Sequence, residues 1–91
     1  MAEMKVVIIT GEKEVYSDDV DVIVAPGGEG DLGILPHHAA LITSLRPGQI
    51  MIRKDGEETL LAVSGGFMEI MNNKVTILAD AAEPILGDRR N

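Results

Sequence analysis

Three groups of residues in this chain are of types that could do chemistry. Adjacent histidines, His37 and His38, carry imidazoles, which are common metal ligands. On a strand, neighbouring side chains point to opposite faces, so both could hold one ion only in an irregular loop. No third ligand stands near them, and packing, hydrogen bonding or an interface is the plainer role. Ser64-Gly65-Gly66 offers a hydroxyl and two backbone N–H donors, and with His38 as base and an acid to orient it, it has the parts of a hydrolase. It lacks the G-x-S-x-G elbow that exposes such a nucleophile. A bulge or a close contact within a sheet explains the two glycines equally well. Gly28-Glu29-Gly30-Asp31-Leu32-Gly33 matches G-x-G-x-x-G, but a dinucleotide fingerprint needs a helix N-terminus next, and Pro36 comes three residues after the last glycine. Glu29 and Asp31 would also repel phosphates. Taken together, these residues favour a binding or structural module over a catalyst, and no cofactor is expected.

The elements that must carry these residues read as strands. Lys5 to Ile9 is β-branched and apolar, and it ends at Thr10-Gly11. Glu12 to Asp19 is polar apart from Val15 and Tyr16, which suits a turn and a short edge strand. Val20 to Ala25 sets Val20, Val22 and Val24 on one face and Asp21, Ile23 and Ala25 on the other, a period of two, and Pro26 is expected to stop it. Gly27 to Thr43 reads as a shaped loop, since its glycines suit unusual backbone and Pro36 forbids a helix.

Ala39 to Leu45 is a short apolar run closed by the turn signature Arg46-Pro47-Gly48. Gln49 to Lys54 alternates through Ile50 and Ile52, and Asp55-Gly56 then predicts a type I′ hairpin into Glu57 to Val63. Phe67 to Met71, a second hairpin candidate at Asn72-Asn73, and Val75 to Ala79 complete the set. Met51, Met68 and Met71 are expected mainly to fill gaps in the core. Short strands at regular spacing predict an all-β sandwich in one domain, residues 1–83, followed by a frayed tail over 84–91 that contains Pro84 and Gly87.

Composition narrows the functional classes. The 91 residues carry eight bases against fifteen acids, for a net charge of −7, and include one Tyr, one Phe and no Cys. Residues 1–45 hold two bases and eight acids, for −6, against six bases and seven acids, for −1, in residues 46–91. An acidic first half without stacking aromatics argues against nucleic acid as a partner. The absence of cysteine fits a reducing compartment. No apolar run approaches the roughly 18 to 20 residues of a spanning helix, so no direct membrane insertion is expected.

A resemblance takes the reading further. Glu29 to Gly48 (EGDLGILPHHAALITSLRPG), Val63 to Met71 (VSGGFMEIM) and Val75 to Glu83 (VTILADAAE) resemble, in order and spacing, the N-terminal domain of the epsilon subunit of F-type ATP synthases, called delta in mitochondria. The resemblance implies a ten-stranded β-sandwich that is a noncatalytic part of the rotor. Such a domain sits at the foot of the central stalk, against the gamma subunit and the polar loops of the c-ring, and links proton (or sodium) flow to ATP synthesis. It implies a peripheral place on the cytoplasmic face of the inner membrane.

Carried over by position, Gly28, Glu29, Gly30, Asp31 and Leu32 are implied to contact the c-ring. Thr10, His38 and Thr43 are implied to lie on the gamma-facing side, with Leu41 and Ile42 near that face or beneath it. His37 departs from the family, which often has glycine there. The family usually continues into a helical hairpin that can inhibit hydrolysis and in some members binds ATP. With Asn91 as its last residue, this chain is expected to lack that hairpin and both properties. The competing expectation is a free-standing sandwich that binds a peptide or small molecule at the glycine segment.

Overall fold

Alternation with a period of two runs through most of the chain, and the computed structural model, which describes residues 3–11 and 13–85, turns it into ten strands and no helix. They are β1 (Met4–Thr10), β2 (Lys13–Val20), β3 (Val22–Gly27), β4 (Gly30–Ile34), β5 (Leu41–Leu45), β6 (Gly48–Lys54), β7 (Glu57–Val63), β8 (Gly66–Met71), β9 (Lys74–Ala79) and β10 (Ala82–Pro84). One layer runs β10-β7-β6-β3 with β4 on the far side of β3, and the other runs β5-β8-β9-β1-β2. A single residue pair, Gly27 with Leu45, joins the two ladders. The backbone bonds Gly28 N to Ser44 O at 2.9 Å and Arg46 N to Pro26 O at 2.8 Å flank it. The all-β sandwich expected from the sequence is therefore present, as a sheet that nearly closes on itself.

Between the layers lies an aliphatic core. Val6, Ile8, Ile23, Ile34, Ile50, Ile52, Met68, Ile70, Val75 and Ile77 are essentially inaccessible to solvent, and no polar or charged side chain among the described residues is buried with them. Each such side chain contributes about 1.5 to 3 kcal/mol through removal from water. Both predicted hairpins form. Asp55 and Gly56 take φ values of 52° and 82°, and Asn72 and Asn73 take 53° and 61°, the positive pairs that match the twist of the flanking strands.

Three expectations need correcting. Pro26 does not end a strand, because β3 runs through it to Gly27. Its carbonyl accepts from Arg46, and a residue's N–H points to the same side as its C=O. The donor that proline lacks would thus face the gap where β3 leaves β6 for β5, so no ladder bond is lost. The segment from Gly27 to Thr43 is not wholly loop, since Gly30–Ile34 forms β4 and pairs with β3 from Ile23–Ile34 to Gly27–Gly30. Finally, Val20 closes β2, and the chain corners at Asp21. Ile23 and Ala25 face the core, while Val22 and Val24 are only partly covered. Pro84 belongs to β10, and Ile85 N donates to Leu60 O at 3.0 Å. Residues 86–91 of the expected tail lie outside the described residues.

Candidate functional site

The glycine-rich segment folds as a β-hairpin whose tip is Gly28-Glu29. Alternation along β4 turns Leu32 and Ile34 inward and Asp31 outward. The tip is held against the opposite layer. A Cβ on Gly28 would come within 2.5 Å of Ser44 Oγ, so the hairpin lies directly on β5. Arg46, just past the end of β5, donates from Nε to Gly27 O at 2.6 Å and from Nη2 to Asp31 Oδ1 at 3.2 Å. The ion pair is exposed, 46% for Arg46 and 74% for Asp31, so most of its value lies in orientation rather than stability. Beside the tip runs an open groove of about 660 Å³, lined by Gly28 to Leu32 together with Leu41, Thr43 and Ser44.

Of the residues implied to face gamma, Leu41 and Thr43 are therefore brought next to the residues implied to meet the ring. Their partners across the ladder, Ile70 and Met68, are buried, which places both on the inward phase of β5. Ile42 points the other way and is 71% exposed. Thr10 and His38 are not brought together. Thr10 ends β1 opposite Ala79. His38 lies in the β4–β5 connection, whose His37 N–H donates to Asn73 Oδ1 at 2.7 Å while Asn73 Nδ2 donates to Glu3 O at 2.8 Å. That connection sits at the opposite end of β1 from Thr10, roughly 20 Å along the strand. His37 adopts a φ of 67°, the left-handed conformation that glycine takes most easily.

A second surface holds Ile42, already implied to lie near the gamma-facing side, together with Phe67 and Leu78, which the sequence reading did not single out. On the outer side of β5, β8 and β9, Ile42, Phe67 and Leu78 are 71%, 61% and 52% exposed. Phe67 stands opposite Leu78 on β9 and Ser44 on β5, and Leu78 stands opposite Ile9 on β1. Ile42, Phe67 and Leu78 line a shallow apolar depression together with Glu69 and Thr76. Exposed apolar side chains gathered on one outward face are a feature that contact surfaces share. The signal was available: Phe67 and Glu69 flank the buried Met68 in strict alternation, so the only phenylalanine had to face solvent.

Two of the glycines weighed for chemistry, Gly66 and Gly33, have visible places in the sheet. Gly66, at φ 148°, passes so close to β9 that a Cβ would lie 2.1 Å from Leu78 O, the close sheet contact anticipated above. No helix follows Gly33, which continues β4. His38 Nδ1 is 2.8 Å from Ala39 O. Among the described residues no three His, Cys, Asp or Glu side chains are grouped to hold a metal, and no helix is long and apolar enough to cross a membrane. Away from both surfaces, Lys54 Nζ donates to Asp18 Oδ1 at 2.8 Å. That bond holds the Asp18 carboxyl below its ordinary range and the Lys54 ammonium above its own. Burial, with Asp18 adding to it, pushes the Tyr16 phenol up.

Known proteins with this architecture can now be set beside it. A family model described as "ATP synthase, Delta/Epsilon chain, beta-sandwich domain" matches residues 3–85. The chain is 51% identical over 83 residues to the ATP synthase epsilon chain of Dehalococcoides mccartyi, covering 91% of this chain and 59% of that one. It is 58% identical over 76 residues to that of Roseiflexus sp., covering 84% and 55%. Among solved structures, a chain of the Euglena gracilis mitochondrial ATP synthase (OSCP/F1/c-ring) superposes with a TM-score of 0.87 at 23% identity, over 92% of this chain and 54% of that one. A chain of the Tetrahymena thermophila mitochondrial ATP synthase central stalk and c-ring gives 0.76 at 24%, over 88% and 65%. At those identities the likeness is one of fold. The chain spans a little over half the length of the relatives it matches. On its sequence and its sandwich alike, the chain belongs to the ATP synthase delta/epsilon family, through that family's β-sandwich domain.

Proposed function

We propose that this chain is a noncatalytic rotor subunit in the central stalk of an F-type ATP synthase, joining gamma to the c-ring so that proton or sodium flow is coupled to ATP synthesis. The observation that carries the reading is identity above 50%, over 83 and 76 residues, to chains named ATP synthase epsilon chain. The geometry supports it physically. The outward face of Ile42, Phe67 and Leu78 supplies apolar area for a stable partner, which we assign to gamma. The acidic hairpin tip, with Glu29 and Asp31 exposed, suits polar or basic loops, which we assign to the c-ring. A densely packed sandwich holds the two surfaces at a fixed separation, as a part that passes torque requires. The subunit would then lie peripherally, on the cytoplasmic side where the ring meets the stalk.

Mixing the chain with its cognate gamma subunit and passing the mixture over a sizing column tests the reading. Co-elution as a stoichiometric complex is expected, and independent elution at micromolar concentrations would overturn it. In a reconstituted synthase, Asp31→Lys is expected to weaken coupling between proton flow and ATP turnover; unchanged coupling would count against the hairpin tip as the ring contact.

A further inference from the structure

The two surfaces assigned above belong to different layers. The hairpin tip is built on β3 and β4, and the apolar face on β5, β8 and β9, while the ladders are joined only at Gly27–Leu45. That seam is one path for load passing from ring to gamma, beside the packed core and the Asp18–Lys54 pair between β2 and β6. Arg46 is the side chain that spans the seam. Its backbone N–H bonds Pro26 O, its Nε bonds Gly27 O at 2.6 Å, and its Nη2 reaches Asp31 at 3.2 Å. One residue thus grips both strands of the hairpin from the end of β5. The Nε bond is part-buried, and a cation donating to a carbonyl is among the stronger hydrogen bonds available. The guanidinium's planar fork lets one side chain hold a carbonyl and a carboxylate together, which a lysine cannot reproduce.

We infer that Arg46 is the positioning residue of the ring-contacting tip, a brace that fixes the β3–β4 hairpin to β5 and presents Asp31 in one orientation across the seam. The inference rests on the rotor reading for its purpose, but the brace itself is a property of the isolated chain. Only one of Asp31's oxygens is engaged by Arg46, and the side chain is 74% exposed. The carboxylate therefore remains able to meet a donor on the ring while it is held.

Amide hydrogen exchange on the isolated chain tests the brace, and coupling in the assembled synthase tests its use. In Arg46→Gln, exchange at Gly28 to Asp31 should rise by about 10-fold or more, while that at Ile50 and Ile52 stays unchanged. Arg46→Lys should fall between. The double exchange Arg46→Asp with Asp31→Arg should leave the tip as fast to exchange as Arg46→Gln does, because a carboxylate at position 46 cannot donate to Gly27 O; recovered protection would show that the ion pair alone, and not the bond to Gly27, fixes the hairpin. In the synthase, Arg46→Gln should lower the ratio of protons pumped to ATP hydrolysed while gamma is retained. Unchanged exchange at the tip would overturn the brace. Faster exchange with an undisturbed pumping ratio would overturn its role in transmission. Failure to co-elute with gamma would instead sink the rotor reading, and the exchange result would still decide for or against the brace.

Discussion

At His37 the backbone is left-handed, with a φ of 67°, and the conformation survives because the His37 N–H is captured by Asn73 Oδ1. A non-glycine residue there pays for the turn in steric strain. His37→Gly is expected to raise stability by up to about 1 kcal/mol, the strain relieved exceeding the added freedom of the unfolded chain; urea unfolding would show a higher midpoint. Gly66 is the opposite case. With φ at 148° and the Leu78 carbonyl 2.1 Å from any Cβ, the obstacle is backbone and cannot move aside. Gly66→Ala is expected to cost upwards of about 3 kcal/mol, or to prevent folding. Circular dichroism during thermal unfolding would reveal either outcome.

At the level of strands and turns, the sequence was legible wherever the determinant was local. Asp55-Gly56 announced its turn because few other pairs accept two positive φ angles, and Ile50 and Ile52 announced a buried face by alternation. What stayed hidden depended on partners far along the chain. The glycines of Gly30–Ile34 read as loop, yet pairing with β3 makes them a strand. Pro26 looked like a stop until the side of β3 that it faces was known. Asn73 gave away its turn but not its clamp, which ties residue 37 to residue 3. Arg46 read as part of a turn, and only the packed hairpin shows what it holds.

The Asp18–Lys54 pair crosses from β2 to β6 in the same nonlocal way. Asp18 is depressed and Lys54 raised. The contribution is therefore present between the ordinary carboxylate and lysine values, about 4 and about 10. It is lost as pH falls through the lowered Asp18 value or rises through the raised Lys54 value. Asp18→Asn should melt slightly below the native chain at pH 7, and the difference should close on acidification below the carboxylate range. A gap that persists there would mean the pair is not its source.

The whole molecule offers two unlike surfaces on one stiff body, one apolar and one acidic, and they should respond differently to solvent. Phe67→Glu is expected to leave the melting temperature nearly unchanged, since the side chain is 61% exposed, and to reduce co-elution with gamma by an order of magnitude or more. Contact through the apolar face should persist in about 1 M salt, where the Debye length is only about 3 Å, whereas contact through Glu29 and Asp31 should not. A gamma complex that salt dissolves would contradict the assignment of faces.

Strand order has a further consequence, for the birth of the chain. β1 lies in parallel beside β9, with Lys5 to Thr10 matched to Lys74 to Ala79. A ribosome releases the amino end first, so β1 must wait with one flank open until most of the domain has been translated. A nascent chain stalled before residue 74 should be cleaved readily by protease, and one stalled with β9 clear of the exit tunnel should resist.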